Sequence, residues 1–129
     1  MVNPRTLARI ESRIQERAAY CLQFEVKDPR SSFVTITKVE LEPDLRSGKI
    51  YYSCLGSEGD RHKTEKMLEG AAGFIQRQVA RVLETRTVPH LKWVFDDSIE
   101  KAARIDELIS EARRKDQAMR PEGEAGSDS

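Results

Sequence analysis

The spacing of apolar residues changes several times along this sequence, and the order of these changes restricts the chain to one class of fold. Over residues 7–21 the apolar side chains recur three or four positions apart, which predicts an amphipathic helix that begins near Asn3-Pro4. The β-branched stretch 33–41 and the alternating stretch 49–55 predict two strands. Turn-forming residues fill 42–48, so we expect the two strands to pair as an antiparallel hairpin.

A second helical pattern covers residues 61–83, where Leu68, Ile75 and Val79 share one stripe. Gly70 and Gly73 lie within one turn of this pattern, and each costs about 1 kcal/mol relative to alanine inside a helix. We therefore predict that the helix is kinked, with a break between two helical segments at Ala71-Ala72-Gly73. The exposed backbone amides at such a break would attract anions.

The remaining patterned segments complete an α+β fold. Residues 91–95 alternate as a third strand, and residues 99–109 form an amphipathic helix that Asp97 or Ser98 can cap. The predicted order is helix, strand, strand, kinked helix, strand and a C-terminal helix, with a three-stranded, antiparallel-led sheet and helices packed on one face. We assign residues 1–114 to one domain and 115–129 to a disordered acidic tail, because 121–129 contains one apolar residue, Ala125.

Several classes of protein do not fit this sequence. No run of apolar residues is long enough for a membrane span, and the N-terminus does not resemble a signal peptide, so we expect a cytoplasmic protein. Cys21 and Cys54 lack the CxxC spacing of metal or redox sites, and we interpret them as reduced core residues. Asp96 and Asp97 near His90 are the best candidates for a metal-dependent hydrolase, but capping of the next helix explains the aspartates more simply. We expect no enzyme activity, metal or cofactor.

Arginines provide the clearest indication of a binding surface. The chain has 22 basic and 22 acidic residues, and without the tail's 2 basic and 4 acidic residues the counts are 20 and 18. Position matters more than net charge, because neutralisation of phosphates is local. Four arginines four residues apart form a ridge along the first helix, and three more follow the predicted break: Arg5, Arg9, Arg13, Arg17, Arg77, Arg81 and Arg86.

We predict that Arg9, Arg13, Arg77, Arg81 and Arg86 contact RNA phosphates. The alternative for the first helix is that its arginines pair with Glu11 and Glu16 on a solvated face.

Aromatic residues of the strands are more consistent with a core than with base stacking. Tyr52, Trp93 and Phe95 share their phase with apolar neighbours. Tyr51 points to the other face, and its role stays open.

An ordered set of motifs resembles the ribosome-binding factor A family over about residues 6–109. The motifs are Asp28-Pro29-Arg30, Phe33-Val34-Thr35-Ile36-Thr37, Pro43-Asp44-Leu45, Ala71-Ala72-Gly73-Phe74-Ile75, Val88-Pro89-His90-Leu91 and Phe95-Asp96-Asp97-Ser98-Ile99. The resemblance implies a type-II KH-like fold, helix-strand-strand-helix-helix-strand, with the Ala71-Ala72-Gly73 motif at a kinked helix junction. It also implies binding to the immature small ribosomal subunit, contact with 16S ribosomal RNA (rRNA) and help in maturing the 5′ region of that RNA.

Two classes of function remain open at this stage. The first is an RNA-binding assembly factor, which we expect to be a monomer. The second is a module bound mainly to ribosomal proteins or other assembly factors, for which the neutral net charge would be natural. Salt dependence distinguishes them, because phosphate contacts release counterions whereas protein contacts release few. A metal-dependent nuclease is a more distant third.

Overall fold

A computed structural model describes residues 2–119 of the chain, which divides into two compact units. The first ends at Asp96 and the second begins at Asp97. The first unit contains helix α1 (Pro4–Tyr20), a π-helical turn (Cys21–Glu25), a 3-10 turn (Pro29–Phe33), strands β1 (Val34–Leu41) and β2 (Ser47–Cys54), helix α2 (Glu58–Val82) and strand β3 (His90–Phe95). The second unit contains helix α3 (Ser98–Met119).

The three strands form one mixed sheet in the order β1-β2-β3. β1 and β2 are antiparallel, with Val34 opposite Cys54 and Leu41 opposite Gly48, which confirms the predicted hairpin. β2 and β3 are parallel, so the chain has to cross over between them, and α2 makes that crossover. The α+β class and the three-stranded sheet are therefore as predicted.

One face of the sheet packs against α1 and α2. Ile14 and Ala18 of α1 and Ile75 and Val79 of α2 are buried in a single cluster with Ile50, at the centre of the sheet. The strand residues of this cluster alternate with exposed ones, as expected for a sheet with one buried face. The prediction of helices on one face is confirmed for α1 and α2.

Local capping explains where the helices begin. The Asn3 side chain accepts a hydrogen bond from the Thr6 amide at 2.9 Å, with Pro4 in the first helical position. Ser57 and Asp60 form a reciprocal capping box at the start of α2. Hydrogen bonds from the Ser57 backbone and side chain lower the pKa of Asp60.

The predicted break at Ala71-Ala72-Gly73 is wrong, because α2 is a single α-helix from Glu58 to Val82. Packing on both sides of the glycines accounts for the difference. Leu68 before them and Ile75 after them are each 1% exposed, so both halves of the helix are fixed to the same core. Tertiary burial of this kind outweighs a helix-propensity cost of about 1 kcal/mol per glycine. The anion site proposed at the break loses its structural basis.

Helix α3 forms the second unit. The Lys101 amide donates to the Asp97 carbonyl at 2.9 Å, so Asp97 occupies the predicted cap position. α3 continues to Met119, past Lys115 where the sequence placed the start of a disordered tail, and the rest of that tail, 120–129, lies outside the described residues. The assigned domain, 1–114, thus includes the first unit and most of α3. None of the helices within residues 2–119 is both long and apolar enough to span a membrane.

Candidate nucleic-acid interface

Helices α1 and α2 run antiparallel to each other along one line of contact, which we call the helix seam. Arg17 donates to the Gln78 side-chain oxygen at 2.9 Å, and Arg13 donates to the Val82 carbonyl at 3.3 Å. Arg13 precedes Arg17 by four residues on α1, whereas the partner of Arg13 follows the partner of Arg17 by four residues on α2, so the two helices run in opposite directions. The seam therefore places the arginines of both helices on neighbouring surfaces.

Arg17 is engaged in a closed polar network at the end of α1. The π-helical turn carries Glu25 back toward α1, where its carboxylate forms a 2.6 Å ion pair with Arg17. Cys21 donates to the same carboxylate at 3.6 Å. The hydrogen bond to Glu25 raises the pKa of Arg17, and burial raises the pKa of the Cys21 thiol to about 11. This network has a structural role, and its thiol is neutral near pH 7.

The other arginines of α1 are differently placed. Arg5, Arg9 and Arg13 are exposed and line an open groove of about 650 Å³, to which Glu84 and Thr85 also contribute. Among residues 2–119, no ion pair involves any of these three arginines.

The two carboxylates that the sequence suggested as partners do not engage these arginines. Glu11 instead accepts from the Leu41 amide at 2.9 Å, at the edge of β1. Glu16 forms no ion pair with a described residue. The groove thus presents guanidinium groups that can bind phosphates without first breaking an ion pair.

Arg77 and Arg81 lie beside the helix seam on the exposed flank of α2. Each precedes by one residue a seam residue, Gln78 or Val82, and both side chains are exposed. The Arg77 guanidinium folds back along its own helix, since a Cβ atom added to Gly73 would lie 3.4 Å from it.

The other predicted site residues lie on α2 and in the segment that follows it. Arg86 is exposed in the segment after α2, close in sequence to the groove residues Glu84 and Thr85. Ala71 and Ala72 are half-buried, while Gly73 is exposed.

Gln76 has a structural role that the sequence did not reveal. Its amide nitrogen donates to the Pro89 carbonyl at 2.7 Å, and its oxygen accepts from the Leu91 amide at 3.0 Å. Both bonds connect α2 to the backbone at the start of β3. A single glutamine in a helical pattern carries no signal of such a contact, because its partners are 13 and 15 residues further along the chain.

The aromatic residues of the sheet divide as predicted. Tyr52 is buried, and the rings of Trp93 and Phe95 pack edge-on against it at centroid distances of 6.2 and 5.7 Å. Tyr51 is half-buried and lies on the opposite side of the sheet, with the Lys38 ammonium 4.5 Å from its ring centroid.

The carboxylates near His90 are used in structural contacts. Thr37 donates to Asp96 at 2.6 Å, and Asp97 pairs with Lys101 at 3.3 Å. Within the described part of the chain, no group of three or more His, Cys, Asp or Glu residues is arranged to hold a metal ion.

Comparison with known proteins gives one consistent family. Residues 6–109 match the family model described as "Ribosome-binding factor A". A protein of that name from Methylobacillus flagellatus is 47% identical over 105 residues, which cover 81% of this chain and 82% of the relative. The solution NMR structure of a Thermotoga maritima protein named for the same factor is 34% identical, covers 78% of this chain and 95% of that one, and has a TM-score of 0.64.

A third comparison concerns the fold alone. A Thermus thermophilus ribosome binding factor A model, fitted into a cryo-EM map of a 30S complex, is 23% identical with a TM-score of 0.56. It covers 70% of this chain and 96% of that one.

Proposed function

This chain belongs to the ribosome-binding factor A family, and we propose that it binds the immature small ribosomal subunit through 16S rRNA. It assists the late maturation of that subunit in the cytoplasm, including processing of the 5′ region of 16S rRNA. In this proposal it acts as a monomeric binding factor, without catalysis, metal or cofactor.

The observation that carries the proposal is the set of arginines on both sides of the helix seam that form no ion pair within residues 2–119. Arg5, Arg9 and Arg13 line the groove, and Arg77 and Arg81 follow the exposed flank of α2. Planar guanidinium groups bind phosphate oxygens in pairs of parallel hydrogen bonds, and each neutralised phosphate releases counterions. These arginines, with Arg86, are therefore the proposed RNA contacts.

The first unit also has more positive charge than the whole chain. Residues 1–96 contain 16 basic and 13 acidic residues, whereas residues 97–129 contain 6 and 9, which together give the neutral total of 22 and 22. A net charge of +3 on the unit that holds the arginines favours association with a polyanion.

The proposal is tested by the salt dependence of binding to small subunits purified from the same organism. The variant Arg77→Ala with Arg81→Ala should bind more weakly, and its slope of log K against log salt should be less steep by about one unit per lost phosphate contact. Arg30→Ala with Arg46→Ala is a matched control, because it removes the same charge from turns outside the helix seam. Thermal unfolding of both variants shows whether any loss is due to misfolding.

Equal effects of the two double variants would contradict the assignment of the arginines beside the seam. Failure of the native protein to associate with small subunits would contradict the proposed function itself.

A protein-led contact is the second candidate, and the apolar side chains of α3 favour it. Ile99, Ile105 and Leu108 are 64%, 55% and 59% exposed. Ribosomal proteins or other assembly factors could bind such residues by burying apolar area. Affinity for the subunit would then change little with salt, and substitution of these α3 residues would weaken it more than substitution of the arginines.

A further inference from the structure

Two large aromatic side chains are exposed where α1 passes into the π-helical turn. Tyr20 is 51% exposed and Phe24 is 71% exposed. Their ring centroids are 4.9 Å apart and the rings are tilted by 49°. The Arg17 guanidinium lies 5.4 Å from the Tyr20 centroid on the side of the closed network. Because half or more of each side chain is exposed, this pair adds little apolar burial to the fold.

The aromatic pair continues the line of arginines on α1. Tyr20 follows Arg13 by seven residues and Arg9 by eleven, and both spacings return to nearly the same side of a helix with 3.6 residues per turn. At a rise of about 1.5 Å per residue, Tyr20 stands about 10 Å beyond Arg13 along the axis. Tyr20, Arg13 and Val82 also line one shallow depression over the helix seam. The acidic residue of this stripe is Glu16, which lies between them.

We propose that Tyr20 and Phe24 form a stacking platform for unpaired bases of a single-stranded RNA segment whose phosphates lie on Arg9 and Arg13. The inference rests on the proposed function and adds to it the kind of RNA recognised. Aromatic rings stack on every base, and stacking is largely independent of sequence. A duplex offers no free base faces along its length, so the platform selects single strands, loops or ends.

Charge and ring chemistry together favour RNA over a protein partner at this surface. Both large exposed side chains here are aromatic, and an aromatic ring offers a flat face on which any base can stack. Arg9 and Arg13 lie on the same stripe and form no ion pair within residues 2–119, so their guanidinium groups provide the positive charge that follows a nucleic-acid backbone. The two rings are tilted by 49° and are not stacked face to face, and half or more of each side chain is exposed to an incoming base.

The test uses the full chain and two probes, a short oligoadenylate and the same strand annealed to oligouridylate. Tyr20→Leu with Phe24→Leu keeps the apolar area but removes the rings. It should raise the Kd for the single strand by about tenfold or more, since each stacked base contributes a factor of this order. The salt slope should stay as in the native protein, because no phosphate contact is lost.

Two further variants control the measurement. Tyr20→Phe with Phe24→Tyr retains both rings and should bind as the native protein does. Phe33→Leu alters a phenylalanine that is 57% exposed on the 3-10 turn and should leave the Kd unchanged. Thermal unfolding of each variant verifies that it is folded.

The outcomes separate this inference from the function on which it rests. An unchanged Kd for the leucine variant, or an equal loss on the annealed duplex, would overturn the platform. If the leucine variant binds oligoadenylate as the native protein does but binds small subunits more weakly, a protein occupies this surface, and the stacking platform is also overturned. If the native protein does not bind small subunits at all, the proposed function is wrong, whatever the oligonucleotides show.

Discussion

Arg13 and Arg17 are one turn apart on α1, yet their side chains have different roles. Arg17 bridges Glu25 and Gln78 and so connects α1, the π-helical turn and α2. Arg13 makes one bond of 3.3 Å to a backbone carbonyl and otherwise lines an open groove. Residue type and helical spacing are the same in both cases. The tertiary neighbours decide whether a guanidinium serves the fold or remains available to a ligand.

Substitution of Gln76 should have the largest effect on folding, because both hydrogen bonds of its side chain hold α2 to the start of β3. Gln76→Leu removes both bonds to the backbone of β3 and leaves the Pro89 carbonyl and Leu91 amide without their partner. We expect the free energy of unfolding to fall by about 2 kcal/mol. Chemical denaturation measures this, with Gln23→Leu as the control at an exposed glutamine. Similar midpoints for the two variants would mean that the bonds of Gln76 contribute nothing net.

Arg17→Ala against Arg13→Ala tests the comparison directly. Arg17→Ala leaves the Glu25 carboxylate without its cation and removes the side-chain contacts that connect α1 to the π-helical turn and to α2. The midpoint of thermal unfolding of this variant should therefore fall by several degrees. Loss of Arg13 removes one exposed hydrogen bond and should have a smaller effect. Equal shifts in the two midpoints would remove the distinction between Arg17 and Arg13.

Arg9 and Arg13 should contribute to binding and contribute little to folding. Arg9→Ala with Arg13→Ala is expected to lower the salt slope of small-subunit binding by up to about two units, with little change in unfolding. The sequence left open that Glu11 and Glu16 pair with these arginines, which would have made the effect smaller than for Arg77 and Arg81. The ion pairs of residues 2–119 do not include Arg9 or Arg13, so we now expect comparable effects. A slope equal to that of the native protein would place the RNA elsewhere.

Removal of residues 120–129 should have the smallest effect on the folded unit. This segment contains one basic and three acidic residues and one apolar residue, Ala125, so it offers almost no apolar area to a core. We expect the unfolding midpoint to change by less than about 5 °C, the shift that about 1 kcal/mol produces in a domain of this size. A larger decrease would show that these residues pack against the fold.

The elements were predictable from sequence because each depends on local periodicity. The hairpin, the third strand and α1 all appear where residue spacing placed them. The break at Gly73 failed as a prediction because propensity was weighed without the burial of Leu68 and Ile75 on either side of it.

The candidate site was predictable only in part. Spacing identified the arginine face of α1, but it could not show that Arg17 has a structural role and Arg13 does not. The partner that distinguishes Arg17 is Gln78, which is 61 residues away in the sequence. The exposure of Tyr20 and Phe24 was missed for a different, local reason. Residues 21–25 form a π-helical turn, which ordinary helical spacing does not describe.

The parallel pairing of β2 and β3 also sets the order in which the sheet can be completed. β1 and β2 are separated by a short turn, so their hairpin can form as soon as both strands have left the ribosome. β3 can join only after all of α2 has been synthesised, and closing that long connection costs more chain entropy than closing the hairpin. Until then the β3 side of β2 has no partner strand, and a nascent chain that stops before His90 exposes an edge able to pair with other chains.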